Sequence, residues 1–158
     1  MGSDSDFPAV APAVKKLKSF GIPVETRVIS AHRTPGEAAR FAASAAENGF
    51  GVIIAAAGMA AHLAGFLAAG TTLPVIGVPL KSAAFGGLDA LLSTVQMPSG
   101  VPVATVAVGG AENAAVLAAE ILALSDAELS AKLAEMKRQM TEKVAEKDRR
   151  IREEAGRL

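Results

Sequence analysis

Short β-branched apolar runs alternate with alanine-rich segments along the chain, and this order constrains the fold more than any other feature of the sequence. The runs at 52–57, 74–79 and 101–108 are almost continuously apolar, which is typical of strands that are covered on both faces. A fourth run at 24–30 also favours a strand. Strands that are joined by helices run parallel through right-handed crossovers. The pattern therefore predicts an α/β fold in which helices cover both faces of a parallel sheet.

The helical segments between these runs have recognisable ends. Thr34, Pro35 and Glu37 match a capping box with proline at the first helical position, so a helix is predicted to begin there. A second capping box, from Ser125 to Glu128, opens a charged C-terminal helix. We therefore expect an α/β domain over residues 1–124 and a helical extension over residues 125–158. The other predicted helices lie at about 60–69, 86–95 and 113–124.

The C-terminal helix has one narrow apolar seam. Its apolar positions step by three and four residues, and the rest of its surface is strongly charged. A solvated helix that is stabilised by its own ion pairs is one interpretation of this pattern. The seam favours a second interpretation, in which the helix packs on neighbouring subunits of a homo-oligomer. The seam residues are Leu129, Leu133, Met136, Met140 and Val144.

Composition and charge exclude several classes of protein. Sixteen basic residues balance sixteen acidic ones, so no net field attracts nucleic acid or an anionic membrane. The absence of cysteine excludes a disulfide scaffold, and two histidines without cysteine give little basis for a zinc site. No apolar run reaches the length of a membrane span, and the N-terminus lacks a signal-peptide pattern. We expect a cytoplasmic protein with no metal, no nucleic-acid partner and no membrane partner.

The N-terminal loop is unusual for a parallel α/β domain. Ligand-binding loops in such domains follow the carboxyl ends of strands, but the loop at residues 2–6 has no strand before it. Four buried apolar residues of such a strand would contribute about 6–12 kcal/mol. The whole stability of a typical domain is about 5–15 kcal/mol. We therefore expect that the first strand is missing from this chain and that the natural protein begins upstream of Met1.

Two loops that lie at or just before the start of a helix carry polar side chains that could bind a ligand. GSDSD at residues 2–6 offers serine hydroxyls and aspartates, although the same residues are ordinary helix caps. SAHRTP at residues 30–35 places His32 beside Arg33. Arginine can bind a phosphate through two hydrogen bonds, and histidine can carry a proton near neutral pH. A structural hydrogen bond is the alternative interpretation of His32.

The third candidate loop, AAAGMAAHLAG at residues 55–65, follows a buried strand. Gly58 and the small residues around it leave room for a ligand, and His62 lies one turn into the following helix. A histidine on an alanine-rich helix is often structural. His62 is therefore either a structural residue or part of a ligand-binding loop. The sequence contains no Walker loop, no GxGxxG dinucleotide motif and no serine nucleophile elbow.

These motifs, in this order, resemble the 5-(carboxyamino)imidazole ribonucleotide mutases of bacterial purine synthesis. The resemblance rests on GSDSD, SAHRTP, AGMAAHLAG, GLDALLSTVQMPSGVPVATVAV and NAAVLAAEIL, and it extends from Met1 to about Leu124. It implies a flavodoxin-like three-layer αβα sandwich that assembles as a homo-octamer, with active sites at subunit junctions. It also implies an isomerase of IMP biosynthesis that moves a carboxylate from nitrogen to carbon and uses no metal or organic cofactor.

The resemblance also implies roles for individual residues. His32 would be the catalytic proton shuttle. The substrate would be bound by the other matched residues: Ser3, Asp6 and Arg33 on its ribose-phosphate, Ser5 and Ser30 nearby, and Gly58 and His62 in the pocket lining.

The chain departs from the family pattern at three places. Family members usually have two glycines where this chain has Gly58-Met59, a proline at the position of Ala64, and an apolar strand before GSDSD. Two other functions stay open. One is the related carboxylase that adds free carbon dioxide to aminoimidazole ribonucleotide, although AHRTP and AAHL argue against it. The other is a non-catalytic flavodoxin-like module that binds a phosphorylated ligand, although the absence of Trp and Tyr argues against a stacked flavin.

Overall fold

The computed structural model describes every residue from Met1 to Leu158. The chain divides into two compact units, Met1–Leu122 and Ala123–Leu158. The division falls two residues before the boundary that the second capping box predicts.

The first unit is built on a parallel sheet of three strands in the order β1-β2-β3. The strands are β1 (Ile53–Ala57), β2 (Val75–Pro79) and β3 (Ala104–Thr105). β1 and β2 pair along their whole length, from Ile53 opposite Val75 to Ala57 opposite Pro79. All of β2 is buried, which explains why its sequence is continuously apolar.

Helices cover both faces of this sheet. α1 and α5 pack on one face, α2 and α3 pack on the other, and α4 packs on β2. A short 3-10 turn, Asp4–Asp6, precedes α1. The three-layer parallel α/β architecture predicted from the sequence is confirmed. The helices are α1 (Phe7–Ser19), α2 (Pro35–Ser44), α3 (Leu63–Ala69), α4 (Leu88–Val95) and α5 (Ala111–Leu122).

Two apolar clusters form the core, one on each face of the sheet. Because successive strand residues point to opposite faces, Ile76 and Val78 of β2 face α1 and α5, whereas Val75 faces α2 and α3. The helices contribute mostly alanines, such as Ala38 and Ala115, which are completely buried. These small side chains let the helices lie close to the sheet, so the alanine-rich composition is a packing requirement.

Gly77 of β2 faces a tightly packed part of this core. A Cβ atom there would lie 2.3 Å from Thr94 Cγ2 and 2.9 Å from Val103 Cγ1. We expect Gly77→Ala to lower the free energy of unfolding by about 1–3 kcal/mol, because buried atoms must shift to make room. Urea unfolding checks this, with Gly36→Ala as the control, since a Cβ atom at Gly36 meets its nearest neighbour at 3.6 Å. A loss in the control as large as that in Gly77→Ala would contradict the explanation.

The prediction of a sheet strand at 24–30 is wrong. This segment has no regular secondary structure and forms no ladder with β1. It is hydrogen-bonded instead to Met1, whose amino group donates to the Arg27 carbonyl at 2.9 Å and whose carbonyl accepts from the Ile29 N–H at 2.9 Å. A strand needs a partner along its length, and Met1 pairs with only one position of this segment.

Other element predictions need smaller corrections. The run at 101–108 contributes only Ala104–Thr105 to the sheet, because β3 pairs with β2 at two positions. α2 does begin at Pro35, but the Thr34 side chain gives it no cap hydrogen bond, so the first capping box is wrong. The Thr34 hydroxyl bonds the backbone of Ser30 instead, at 3.0 Å to both its N–H and its carbonyl.

The second unit consists mainly of one long helix, α6 (Ala127–Ala155). Its N-cap is Asp126, whose carboxylate accepts a hydrogen bond from the Leu129 N–H at 2.9 Å. The sequence predicts Ser125 as the cap, and the observed cap lies one residue later. None of the helices, α6 included, combines the length and the hydropathy that crossing a membrane requires.

Charged side chains line most of the α6 surface. Arg138 donates hydrogen bonds to Glu135 and to Glu142, one helical turn away on either side. The bond from Arg138 holds the pKa of the Glu135 carboxyl below its usual range. Part of the predicted apolar seam is nevertheless in solvent, since Met140 is 58% exposed and Val144 is 65% exposed.

Candidate active site

Three segments meet at the carboxyl end of β1. The Gly2 N–H donates to the Ala56 carbonyl at 3.3 Å, which ties the N-terminal loop to this strand. Arg33, in the turn at 30–34, joins that turn to the same loop. The loop at 58–62 follows β1 directly along the chain. This end of the strands is where open parallel α/β sheets bind their ligands.

The turn that carries His32 and Arg33 is closed by its own hydrogen bonds. The Thr34 N–H donates to the Ser30 carbonyl at 2.8 Å, and the Arg33 N–H donates to Ser30 Oγ at 3.2 Å. The Thr34 hydroxyl adds its two bonds to the backbone of Ser30. His32 and Arg33 therefore project from a well-fixed turn, and both side chains are exposed to solvent.

Arg33 is available to an anionic ligand. Its Nη2 donates to the Gly2 carbonyl at 2.8 Å, and its Nε donates to Ser30 Oγ at 3.4 Å. Both partners are neutral oxygens, and the ion pairs of the chain involve other basic residues. No carboxylate oxygen therefore lies within 4.0 Å of this guanidinium, and its planar fork suits a phosphate.

The structure brings His32 and His62 into direct contact. His32 Nε2 lies 3.0 Å from His62 Nδ1, and the two rings meet edge to face with their centroids 5.2 Å apart. At this distance one nitrogen can donate a hydrogen bond to the other, and the tautomers of the two rings determine which of them donates. No group of three or more histidine, cysteine, aspartate or glutamate side chains is placed to hold a metal ion.

The serines and the aspartate of the N-terminal loop bond one another. The Asp6 carboxylate accepts from the Ser3 N–H at 3.1 Å, and the Ser5 hydroxyl donates to Ser3 Oγ at 2.8 Å. The turn is thus the helix-capping arrangement that the sequence left open as an alternative. The Gly2 carbonyl, immediately before this turn, holds Arg33. The structure therefore places the predicted phosphate-binding residues side by side.

The loop after β1 contains a strained residue. Met59 has a φ of +54°, in the left-handed region where glycine is the favoured residue. The resemblance described in the sequence analysis leads us to expect a second glycine at this position. The preceding Gly58 lies against the Leu80 carbonyl, which would be 3.7 Å from a Cβ atom at Gly58. Methionine is therefore accommodated in this loop at a cost in backbone energy.

We expect Met59→Gly to raise the free energy of unfolding by about 0.5–1 kcal/mol, because the strain removed exceeds the entropy added to the unfolded chain. Little burial is lost, since Met59 is 70% exposed. Ala60→Gly is the matched control, and it should destabilise the protein because Ala60 has no positive φ. Urea unfolding of both variants decides the point, and equal effects would contradict the assignment of strain to Met59.

Sequence reasoning missed two contributions to the site. The capping pattern predicts that Thr34 begins α2, whereas its hydroxyl closes the turn that carries His32. The Gly2 carbonyl as a partner of Arg33 has no signal in the sequence at all. The spacing of Ser30 and Thr34 could have suggested the first contribution, because serine and threonine side chains often bond nearby backbone groups.

Comparison with known proteins gives the family. The profile of the AIR carboxylase family matches residues 1–143. The chain is 55% identical over 153 residues to N5-carboxyaminoimidazole ribonucleotide mutase of Pyrococcus horikoshii, which covers 97% of this chain and 86% of that protein. It is 52% identical over 158 residues to the protein of the same name from Mycobacterium tuberculosis, covering 100% of this chain and 91% of that protein.

A solved structure gives the same result for the fold. The crystal structure of Treponema denticola PurE matches with a TM-score of 0.83 and 31% sequence identity, over 94% of this chain and 92% of that chain. The flavodoxin-like three-layer architecture is therefore shared with that protein. On the family profile, the identity along nearly the whole chain and this common fold, the protein belongs to the AIR carboxylase family.

Proposed function

We propose that the protein is an isomerase of purine biosynthesis that converts 5-(carboxyamino)imidazole ribonucleotide into 4-carboxy-5-aminoimidazole ribonucleotide. The relatives named N5-carboxyaminoimidazole ribonucleotide mutase support this activity. One structural observation carries this proposal. His32 contacts His62, and His32 lies on a turn that Arg33 ties to the N-terminal loop. A proton-carrying ring and a phosphate-binding side chain are thus neighbours.

The reaction needs no co-reactant. The bond between nitrogen and the carboxyl carbon breaks, and its electron pair stays on nitrogen, which gains a proton. The carbon dioxide that is released accepts an electron pair from ring carbon C4, which then loses its own proton. One carboxylate moves from nitrogen to carbon and one proton moves from carbon to nitrogen. Holding both fragments in place supplies the effective concentration that such a transfer requires.

His32 is the proton shuttle in this proposal. A neutral imidazole nitrogen can accept the C4 proton, and positioned acid–base catalysis contributes about 10²–10⁴-fold in rate. His62, 3.0 Å away, orients the His32 ring and lines the pocket together with the loop at Gly58. A proton on His32 Nε2 has a second nitrogen within 3.0 Å to move to, which suits a group that must both take and return a proton.

Arg33 and the N-terminal loop together bind the ribose-phosphate of the substrate, and the guanidinium of Arg33 binds its phosphate group. The hydroxyls of Ser3 and Ser5 can exchange their mutual hydrogen bond for bonds to the ligand. Asp6 orders the turn through the Ser3 N–H, and Ser30 positions Arg33. An anion at this place anchors the substrate tail, while the ring extends toward the histidines.

We further infer that the working enzyme is a cytoplasmic homo-octamer in which neighbouring subunits complete the active site. His32, Arg33 and His62 are exposed on a single chain, whereas released carbon dioxide must be kept from solvent. The exposed apolar side chains of α6, such as Met140 and Val144, would pack on neighbouring subunits. The mass of the protein in solution tests this proposal, and a monomer would contradict it.

A direct assay tests the proposed activity. The purified chain is given synthetic 5-(carboxyamino)imidazole ribonucleotide without ATP, and formation of the 4-carboxy product is followed by chromatography. We expect conversion without any added carbon source. A parallel reaction contains aminoimidazole ribonucleotide and bicarbonate. Product in the second reaction alone would overturn the proposal in favour of a direct carboxylase, and no product in either would favour a module that only binds a phosphorylated ligand.

A further inference from the structure

Met59 is the one large apolar residue in the segments that form the candidate site. Residues 2–6, 30–34 and 58–62 otherwise consist of small, polar or charged residues. The Met59 side chain is 70% exposed. A single exposed apolar side chain is ordinary on a protein surface. Met59 is unusual because it is also held at a φ of +54°, in the left-handed region.

The strain at Met59 is not offset by packing of its side chain. A side chain that is 70% exposed buries little apolar surface, so it returns little free energy. Two tight turns hold the conformation instead. The Ala61 N–H donates to the Met59 carbonyl at 2.9 Å, and the His62 N–H donates to the Ala60 carbonyl at 2.8 Å. Strained residues of this kind cluster at ligand-binding sites, so the strain points to a role for the Met59 side chain there.

The same two turns keep Met59 close to the histidine pair. Met59 lies three residues before His62, and three residues span at most about 11 Å even when they are fully extended. The turns shorten this distance. A methionine side chain is unbranched and has three rotatable bonds. It can therefore reach over the His62 ring and over His32, whose Nε2 lies 3.0 Å from His62 Nδ1.

An apolar side chain at this place suits the intermediate of the proposed reaction. Carbon dioxide has no net charge and no hydrogen to donate, so imidazole, guanidinium and hydroxyl groups hold it less firmly than they hold a carboxylate. Closing an active site against water prevents the loss of such an intermediate. A thioether is polarizable and adapts to irregular spaces. It is also neither an acid nor a base near neutral pH, so it does not compete with His32 for the proton.

We propose that the Met59 side chain is the apolar cover of this site, lying over the substrate ring beside His32 and His62 and keeping the released carbon dioxide against C4. This inference rests on the isomerase activity proposed above. Met59 then determines how the intermediate divides. Under the cover, carbon dioxide bonds to C4 and C4 loses its proton. Without it, carbon dioxide escapes, C4 keeps its proton, and aminoimidazole ribonucleotide with a protonated nitrogen leaves the site.

An isotope-retention assay tests the cover. Substrate that carries carbon-13 in its transferred carboxylate is converted in excess unlabelled bicarbonate, and the reaction without enzyme is subtracted. Mass spectrometry gives the label retained in the product, and chromatography gives the aminoimidazole ribonucleotide released. We expect Met59→Gly to raise the ratio of released to carboxylated nucleotide by about fourfold or more, the factor that corresponds to one lost CH₂ contact. Met59→Gln should raise it similarly, and Met59→Leu should stay close to wild type.

The glutamine and leucine variants are matched controls. Both keep a side chain at the strained position, so the difference between them isolates polarity. Equal ratios in all four proteins would overturn the cover, whereas conversion by the wild type would still support the isomerase. A rise in Met59→Leu as large as that in Met59→Gly would also overturn it, because the loop backbone would then be the cause. Retention of the label in Met59→Gln equal to that in wild type would overturn the requirement for an apolar group.

Oxidation of methionine gives a second readout that needs no turnover. Hydrogen peroxide converts exposed methionine to its sulfoxide, and mass spectrometry of peptides follows each position. Bound 4-carboxy-5-aminoimidazole ribonucleotide should slow oxidation of Met59 but not of Met140, which is 58% exposed on α6.

Three outcomes of the oxidation experiment would overturn the cover. The first is oxidation of Met59 that the bound nucleotide leaves unchanged. The second is equal protection of Met140, which would show a general effect of the ligand. The third is resistance of Met59 to peroxide without any ligand, because a neighbouring subunit would then cover it. Calorimetric titration shows whether the nucleotide binds, and a nucleotide that does not bind would overturn the proposed function itself.

Discussion

Replacing His32 by asparagine is expected to lower kcat by a factor of about 10²–10⁴ and to leave substrate affinity largely unchanged. Asparagine keeps a hydrogen-bonding group of similar reach but cannot take up the C4 proton. Folding should be unaffected, because the His32 side chain is exposed and its contact is with one other exposed ring. Steady-state kinetics give kcat, and calorimetric titration with the product gives the affinity.

Chemical rescue separates proton transfer from a purely structural role of His32. In His32→Ala, added imidazole should restore part of the lost turnover in proportion to its concentration, since a free imidazole can occupy the vacated position. The same imidazole should not affect the wild-type enzyme. Turnover in His32→Asn close to that of wild type would refute the shuttle, and a failure of rescue together with weakened binding would assign His32 to the substrate pocket alone.

Arg33→Ala is expected to raise KM by about 10- to 150-fold with a smaller change in kcat. A hydrogen bond to a charged group contributes about 1.5–3 kcal/mol, and this range corresponds to that factor. The phosphate lies at the far end of the substrate from the reacting carbon. Loss of the Arg33 side chain therefore weakens ground-state and transition-state binding alike. Initial rates over a range of substrate concentrations measure both constants.

Two further arginine variants serve as controls. Arg33→Lys keeps the charge but loses the planar fork, so its KM should lie between those of wild type and Arg33→Ala. Arg40→Ala removes an exposed arginine of α2 and should leave KM unchanged. A KM unaffected by Arg33→Ala would remove this residue from the phosphate site. An equal rise in Arg40→Ala would show that the effect comes from the net charge of the protein.

The sheet was predictable where the sequence specifies burial on both faces. The runs at 52–57 and 74–79 became β1 and β2 because continuous apolar sequence is stable only between two helix layers. The run at 24–30 mixes β-branched residues with charged ones and also favours a strand, but whether it joins a ladder depends on a neighbour that local pattern does not encode. The run at 101–108 is paired at two positions for the same reason.

The candidate site was predictable in its members but not in its contacts. The rule that ligand loops follow strand ends brings the loops of His32 and Gly58 to one edge of the sheet. The 3.0 Å contact of His32 with His62 joins residues that are 30 positions apart, so only tertiary structure determines it. The capping role of Thr34 failed because its hydroxyl had a nearer backbone partner in Ser30.

A crystal structure of the protein with bound 4-carboxy-5-aminoimidazole ribonucleotide tests most directly whether His32 is placed to carry the C4 proton. We expect a ring nitrogen of His32 to lie about 2.6–3.2 Å from the 4-carboxylate or from ring carbon C4. The phosphate should bind to Arg33 beside the N-terminal loop. A ligand whose phosphate faces the histidines, or whose ring lies out of reach of His32, would contradict it.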